Sequence, residues 1–398
     1  MSVKSDFPIF AHHTGRPFHY LDSAATTQKP QRVIDAITRY YSQDCSPPGR
    51  SIYPLAQALT QQLIDARRTI ADFLNAESDE LVFTGGSTDG INKVARSYLQ
   101  PRLMPGDQIL VSGFEHHSNY APWIHAAKQT GAMVIVETPT EEGGLDIAQF
   151  EAKITDRTKF IALATVSNAT GYRLPVEALI AVAHDRGIPV LIDAAQSASH
   201  EPTDMKKLDA DFLVFSSHKH YGPTGLGVLY GKKQFLQDMQ PANIGGGGLQ
   251  NVSGIEVTYP EGHRKHESGI PHMSGILGLA VAIDYLSSLG WENIQSQEKL
   301  LMKQLESGLL TMPQVSLLPA QGGRHGLVSF TVEGISHLQI AEQLGELGIC
   351  MRAGHQCAQP VHQALSLESS CRVSIGCYND KEDINSFLKG LDQVLLKT

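Results

Sequence analysis

The sequence predicts an α/β architecture, with a large lobe built on a mostly parallel sheet and a smaller α+β lobe after it. Three observations carry this. Helical and strand patterns alternate from about residue 30 to residue 231, the signature of helices layered on a parallel sheet. The strand-like stretches, Pro189 to Ile192 and Phe212 to Phe215 among them, are short and almost uninterrupted apolar runs, as expected where both faces of a strand are buried. A chain of 398 residues also exceeds one ordinary core, so two lobes are expected.

Along the chain, the helical pattern marks 53–75, 88–99, 119–130 and 175–187. Strands are expected between them at 80–84, 107–112, 132–138, 158–165, 189–193, 211–216 and 226–231. A glycine run, Gly245 to Gly248, opens a polar stretch through His266 with few apolar anchors, which reads as an active-site or dimer loop. Long helical patterns follow at 272–289 and 291–312. The remainder, with strands near 315–319, 326–332, 349–353 and 371–376 and helices at 336–347 and 381–397, reads as the α+β lobe. The expected division is 20–270 for the large lobe and 1–19 plus 271–398 for the small one.

Composition excludes several classes of function. With 32 basic against 41 acidic residues the net charge is −9, which argues against broad binding to nucleic acid or anionic membranes. No run approaches a membrane span, and Met1 to Pro8 is charged and broken by proline, unlike a secretory signal. The five cysteines are few, odd in number and without paired metal-site spacing, as in a reducing cytoplasm where thiols stay free and no metal is held.

Two strand ends carry the chemistry. Ser216-Ser217-His218-Lys219 closes one apolar run, and Val190-Leu191-Ile192-Asp193 closes another. A lysine amine and a carboxylate facing one pocket are what pyridoxal phosphate needs. The amine holds its aldehyde as an imine, and the carboxylate keeps its ring nitrogen protonated so that the ring acts as an electron sink. Ligands collect at the carboxyl ends of such strands. Gln196, one short turn beyond Asp193, is placed to bond a ring hydroxyl. Asp193-Ala194-Ala195-Gln196, followed by Ser216 to Gly225 reading Ser-Ser-His-Lys-His-Tyr-Gly-Pro-Thr-Gly, resembles the class V aminotransferase-like enzymes of fold type I, and within them the cysteine desulfurases. Arg352-Ala353-Gly354-His355-Gln356-Cys357-Ala358-Gln359-Pro360 is similar to the loop that carries the catalytic cysteine in group II cysteine desulfurases and selenocysteine lyases. Its polar neighbours make a poor core strand, so Cys357 is expected on an accessible turn where a nearby cation favours the thiolate.

The resemblance covers the chain from roughly Tyr20 onward and implies further roles. Phe83 to Gly90 looks like the phosphate cup, with contacts from Ser87 and Thr88, and with Ser216 and His218 as further donors. His116, in Glu115-His116-His117-Ser118-Asn119, takes the position that stacks on the pyridine face and, with a pKa near neutrality, moves protons. Asn168 resembles the amide that contacts cofactor or substrate carboxylate. Arg372 takes the substrate carboxylate through a bidentate pair, with Arg352 as second candidate, and the small residues of Tyr20 to Thr27 let backbone approach the substrate. Lys219 is the implied base and Cys357 the nucleophile that receives the substrate sulfur. The implied reaction converts L-cysteine to L-alanine, and the implied partners are a SufE-like sulfur-acceptor protein and a second copy in a homodimer. L-selenocysteine as substrate, or a weakened sulfur-relay subunit, are the alternatives. Two departures bear on them. Ile270 replaces a threonine whose hydroxyl reaches the neighbouring subunit's phosphate, and Pro47-Pro48-Gly49-Arg50 lacks a histidine at the entrance.

Overall fold

The computed structural model describes residues 3–13, 15 and 17–397. Parts of the expected small-lobe segments, residues 1, 2, 14, 16 and 398, lie outside them. Seven strands form the main sheet: β1 (Leu81–Thr84), β2 (Gln108–Ser112), β3 (Met133–Glu137), β4 (Thr158–Ala164), β5 (Val190–Asp193), β6 (Phe212–Ser216) and β7 (Gly227–Gly231). Their order is β1-β7-β6-β5-β4-β2-β3. All neighbours pair in parallel except β7, which is antiparallel to both β6 and β1. Two antiparallel steps restore direction, so β1 runs the same way as β2 to β6 and the carboxyl ends of all six meet along one edge.

Alternate side chains of each strand enter opposite cores, because successive Cβ atoms point to opposite faces. Leu81, Phe83, Leu110, Ile161, Ile192, Leu213 and Val228 pack into one. Val82, Ile109, Val111, Phe160, Leu191, Val214 and Leu229 pack into the other. Two buried faces are why these strands read as unbroken apolar runs. Helix α1 (Gln31–Arg39) lies outside the helices that flank the sheet, α2 (Pro54–Phe73), α3 (Ser87–Lys93), α4 (Ala121–Thr130) and α5 (Val176–His184), and α3 continues through a π-type turn to Leu99. Helix α6 (Met273–Leu289) is apolar nearly all round. It sends Ile276, Leu279 and Ile283 into the first core and packs on α1 and α2.

A second sheet of β8 (Val315–Leu317), β9 (Leu327–Val332), β10 (Arg352–Gly354) and β11 (Ser370–Ser374), in the order β8-β9-β11-β10, is wholly antiparallel. It packs with α7 (Trp291–Leu309), α8 (His337–Glu346) and α9 (Lys381–Leu395) around Leu305, Phe330, Val373 and Phe387. Leu21 joins this second core, and His19–Tyr20 pairs in parallel with Ile349–Cys350. Short helices at Ile147–Ala152, Met205–Leu208, Lys233–Asp238 and Gln359–Ala364, helix α1, and an exposed hairpin of Asn251–Ser253 and Glu256–Thr258 lie outside the sequence expectation. Among the described residues no single helix is long and apolar enough to cross a membrane; α6 and α7 meet length and composition only together, as a pair bent by 77°.

The free edge of β1 is closed by side chains. Phe83 N–H donates to Glu267 Oε1 at 2.7 Å, and Arg67 donates to the other oxygen at 2.6 Å and to Leu81 O at 2.8 Å. Such a cap protects the edge from further strand pairing. Glu267→Ala strands a mostly buried guanidinium and is expected to cost about 3–5 kcal/mol, seen as a lower midpoint of thermal unfolding.

Candidate active site

The carboxyl edge of the sheet and the facing β10 and β11 enclose a cavity of about 610 Å³, and all twelve residues singled out from the sequence line it: Ser87, Thr88, His116, Asn168, Asp193, Gln196, Ser216, His218, Lys219, Arg352, Cys357 and Arg372. Its floor is made where β5 and β6 end. Asp193 is buried and accepts Ala195 N–H at 3.0 Å; burial raises its pKa and the Lys219 charge lowers it. Gln196 is buried and gives its amide N–H to Ala24 O at 3.0 Å.

Lys219 ends a 3₁₀ turn, Ser217–Lys219, immediately after β6. That turn is held from below. The His218 carbonyl accepts from Thr27 N–H at 3.0 Å, Thr26 Oγ1 at 3.2 Å, Thr27 Oγ1 at 3.1 Å and Lys29 Nζ at 2.8 Å. Gly222 closes the turn where a Cβ would lie 2.3 Å from Ser217 Oγ, so a larger residue would force that hydroxyl to move. Among the described residues, none pairs with the Lys219 amine. Burial lowers its pKa to about 8, with Asp193 raising it and Arg372 and Arg352 lowering it. The sign is clear, since an amine is nucleophilic only when deprotonated. In the cofactor-free protein, Lys219 is expected to capture an aldehyde probe at a rate that rises with pH to about 8 and then levels, whereas an ordinary lysine would keep gaining toward 10.5.

A corner lined by hydroxyls lies where β1 passes into α3. Gly86 adopts a φ of +146°, and a Cβ on Gly227 would come within 2.5 Å of Gly86 Cα. Glycine at both positions lets backbone close around the corner. Ser87 N–H and Ser87 Oγ meet Ser216 Oγ, each at 2.8 Å, and Thr88 Oγ1 meets Ser118 Oγ at 2.7 Å. His218 lies beside this wall, and burial, with Lys219 and Lys29, lowers its pKa to about 4. His116 differs from expectation. Burial first, then Lys219, His117 and Arg372, lower its pKa to about 3, so it is a neutral ring at neutral pH, not a group titrating there. Its Nδ1 accepts Ser118 N–H at 3.1 Å, which leaves Nε2 as the donor.

The other wall is built for a carboxylate and a sulfur. Arg372 is buried, donates to Asn168 O at 2.9 Å and to Asp22 Oδ1 at 3.1 Å, and keeps an unpartnered Nε–H. Arg352 is exposed and holds Asp22 Oδ2 at 3.0 and 3.2 Å. Asn168 gives Nδ2 to Gln356 O at 2.6 Å and leaves Oδ1 buried and unpartnered. Cys357 is exposed, and it and Gln356 both take φ of 55°, a left-handed pair costly for non-glycine residues. The loop is pinned where His117 N–H donates to Cys357 O at 2.7 Å and Cys357 N–H to His355 Nδ1 at 3.2 Å. Lys219 and Arg372 lie close enough to feel the Cys357 charge.

A free amine beside a buried carboxylate, a glycine-lined hydroxyl corner, a neutral flat ring, and arginines and a cysteine on the opposite wall fit pyridoxal phosphate and an amino-acid substrate. The class V aminotransferase model matches residues 19–387. The chain belongs to the class V aminotransferase family. Within that family, it is 40% identical over 396 residues to a cysteine desulfurase of Pectobacterium atrosepticum, covering 98% of this chain and 97% of that protein. Among solved structures, the cysteine desulfurase CsdA of Escherichia coli superposes with a TM-score of 0.92 at 36% identity, covering 99% of this chain and 98% of that one. The apo cysteine desulfurase of Thermococcus onnurineus NA1 does so with a TM-score of 0.95 at 34% identity, covering 100% and 98%.

Two residues of this class V site, Asp22 and Lys29, were given no role by the sequence reading, and Glu115 entered it only as the neighbour of His116. Asp22 bridges both arginines, Lys29 anchors the lysine turn, and Glu115 sits behind His116. Asp22 was visible only as one of a string of small and polar residues, since its partner lies 350 positions away. Of the two departures, Ile270 is 74% exposed and lines no part of this cavity. Gly49 takes φ of +96° with open space around it and donates to Thr60 Oγ1 at 2.8 Å.

Proposed function

We propose that this protein is a pyridoxal-phosphate-dependent cysteine desulfurase, which takes the sulfur of L-cysteine onto Cys357 and releases L-alanine. The observation that carries the reading is an exposed cysteine on a pinned, left-handed loop in the same cavity as a lysine amine with a lowered pKa. The bound cofactor withdraws electrons from the substrate α-carbon. Lys219 holds the cofactor and, once displaced by substrate, takes the α-proton as general base. Asp193 would keep the ring nitrogen of the bound cofactor protonated, and Gln196 would bond its ring hydroxyl. His116 would cover one face of the cofactor ring and exclude water from it. Ser87, Thr88, Ser216 and His218 supply the phosphate contacts. Arg372 supplies the cation for the substrate carboxylate, Asn168 lines the same cavity as a contact to cofactor or substrate, and Arg352 closes from outside. The Cys357 thiolate then attacks the substrate sulfur. The S–S bond forms as the C–S bond breaks, the electron pair goes to the substrate carbon framework, and proton uptake completes alanine. What remains is a persulfide on Cys357, on a loop exposed enough to hand it on.

Several finer points belong to the same proposal. The persulfide passes to a SufE-like acceptor protein, the protein works as a homodimer in the cytoplasm, and L-selenocysteine is an alternative substrate. Arg372→Lys keeps the charge but loses the planar fork. It is expected to raise KM for cysteine roughly 10- to 100-fold, the range for losing a buried charge-assisted contact, with a smaller change in kcat. The deciding experiment measures alanine released from L-cysteine under reducing conditions, with the visible spectrum recorded throughout. Release that accompanies a spectral change supports the reading. A protein that binds the cofactor yet makes alanine only from L-selenocysteine would move the assignment to selenocysteine lyase.

A further inference from the structure

The loop that carries His116 is rooted in a buried carboxyl group. Glu115 has no solvent exposure, and among the described residues no cationic side chain pairs with it. Its Oε1 accepts Ala164 N–H at 2.8 Å and Ser112 Oγ at 2.5 Å, and its Oε2 accepts Asn119 Nδ2 at 2.6 Å. Asn119, itself buried, turns its amide oxygen to Trp123 Nε1–H at 3.1 Å. One side chain therefore joins the ends of β2 and β4 to the first turn of α4.

The donors leave little freedom. Trp123 fixes the orientation of the Asn119 amide, so Oε2 must accept, and the Ala164 backbone N–H makes Oε1 accept as well. A carboxyl group offers an acceptor at both positions, whereas an amide offers one at only one of them. Burial pushes the Glu115 pKa up to about 8, and Asp193 adds to the rise, while the hydrogen bonds from Ser112, Ala164 and Asn119 pull it down. An unpaired buried carboxylate is costly to keep. What it holds in return is the residue peptide-bonded to it. Beyond Glu115, the loop is stitched to its surroundings by Ser118 N–H on His116 Nδ1, Ser118 Oγ on Thr88 Oγ1 and His117 N–H on Cys357 O.

We infer that Glu115 is the positioning residue for His116, locking the loop so that the imidazole lies flat over the cofactor ring; this rests on the cofactor and His116 roles proposed above. Glu115→Gln tests it at constant shape, because one end of the amide must then face a donor with a donor. Purified with bound cofactor, E115Q is expected to keep its visible absorbance but to change its visible circular dichroism in the same sense as His116→Gln. Its kcat should fall about 10- to 100-fold, the scale of a small misplacement, with KM unchanged. The double variant should be no worse than H116Q alone, because both act through one ring. In a Trp291→Phe background, Trp123 emission should also shift in E115Q, with or without cofactor. Wild-type circular dichroism and kcat in E115Q, or losses that multiply in the double variant, would overturn the inference. Should E115Q not fold, Trp123→Phe frees the Asn119 amide more gently and is expected to shift the circular dichroism in the same direction; an unchanged signal there also overturns it. If H116Q itself leaves the signal unaltered, the role of His116 fails and this inference with it. An altered H116Q beside an unaltered E115Q sinks the inference alone.

Discussion

Cys357→Ala is expected to bind the cofactor like the wild type, with the same visible spectrum, and to release alanine from L-cysteine roughly 10³-fold more slowly or not at all, as expected when the group that receives the sulfur is removed. The reason is spatial. Cys357 is exposed at the rim, while Asp193, Ser87 and Ser216 are buried on the sheet side, so the substitution deletes the sulfur acceptor without touching the cofactor floor. Mass spectrometry of the wild type after cysteine treatment should find one added sulfur on Cys357, reversed by thiol. Added sulfur on another cysteine, or full activity in the variant, would remove Cys357 from the mechanism. Cys371 and Cys377 are buried, and burial pushes Cys371 up to about 12 and Cys377 higher still, so neither competes as a thiolate.

Lys219→Ala should be more damaging, because it removes two functions together. The cofactor loses its covalent attachment and should wash out on gel filtration, and the α-proton loses its base, worth roughly 10²–10⁴-fold by itself. Added cofactor is expected to restore binding but not turnover. Lys219→Arg should do no better, since a guanidinium stays protonated and the amine here works only because burial brings its pKa to about 8. Turnover in Lys219→Ala with saturating cofactor, above a tenth of wild type, would reassign the base.

The sequence made the sheet legible for a specific reason. β1, β2, β4, β5 and β6 are buried on both faces, so each reads as an apolar run with a polar, functional tip. The direction of β7 was less apparent, although the connection from Ser217 to Leu226 is shorter than the dozen or so residues a parallel crossover needs. Helices such as Met205–Leu208 and Gln359–Ala364 are too short to show a periodic face. Within the site, Lys219, Asp193 and Cys357 stand in distinctive local strings. Asp22 and Lys29 do not, because their roles come from partners that only the folded chain brings near, and the string around Glu115 does not show Ala164, 49 residues on, which completes its bonding. The His116 pKa failed for the same reason, as desolvation depends on neighbours that local sequence does not display.

The pairing of His19–Tyr20 with Ile349–Cys350, and of Asp22 with Arg372, also sets an order of events during synthesis. The strands of the main sheet, residues 81 to 231, are all translated before the partners of the amino-terminal segment exist. At typical elongation rates the 350 residues between Asp22 and Arg372 take roughly 20 to 70 s to emerge. Through that interval the nascent chain can close its sheet around Lys219, yet Asp22 has no arginine and the cavity has no sulfur-accepting wall. A chain stopped before residue 357 therefore lacks the proposed sulfur acceptor and is expected to form no persulfide there.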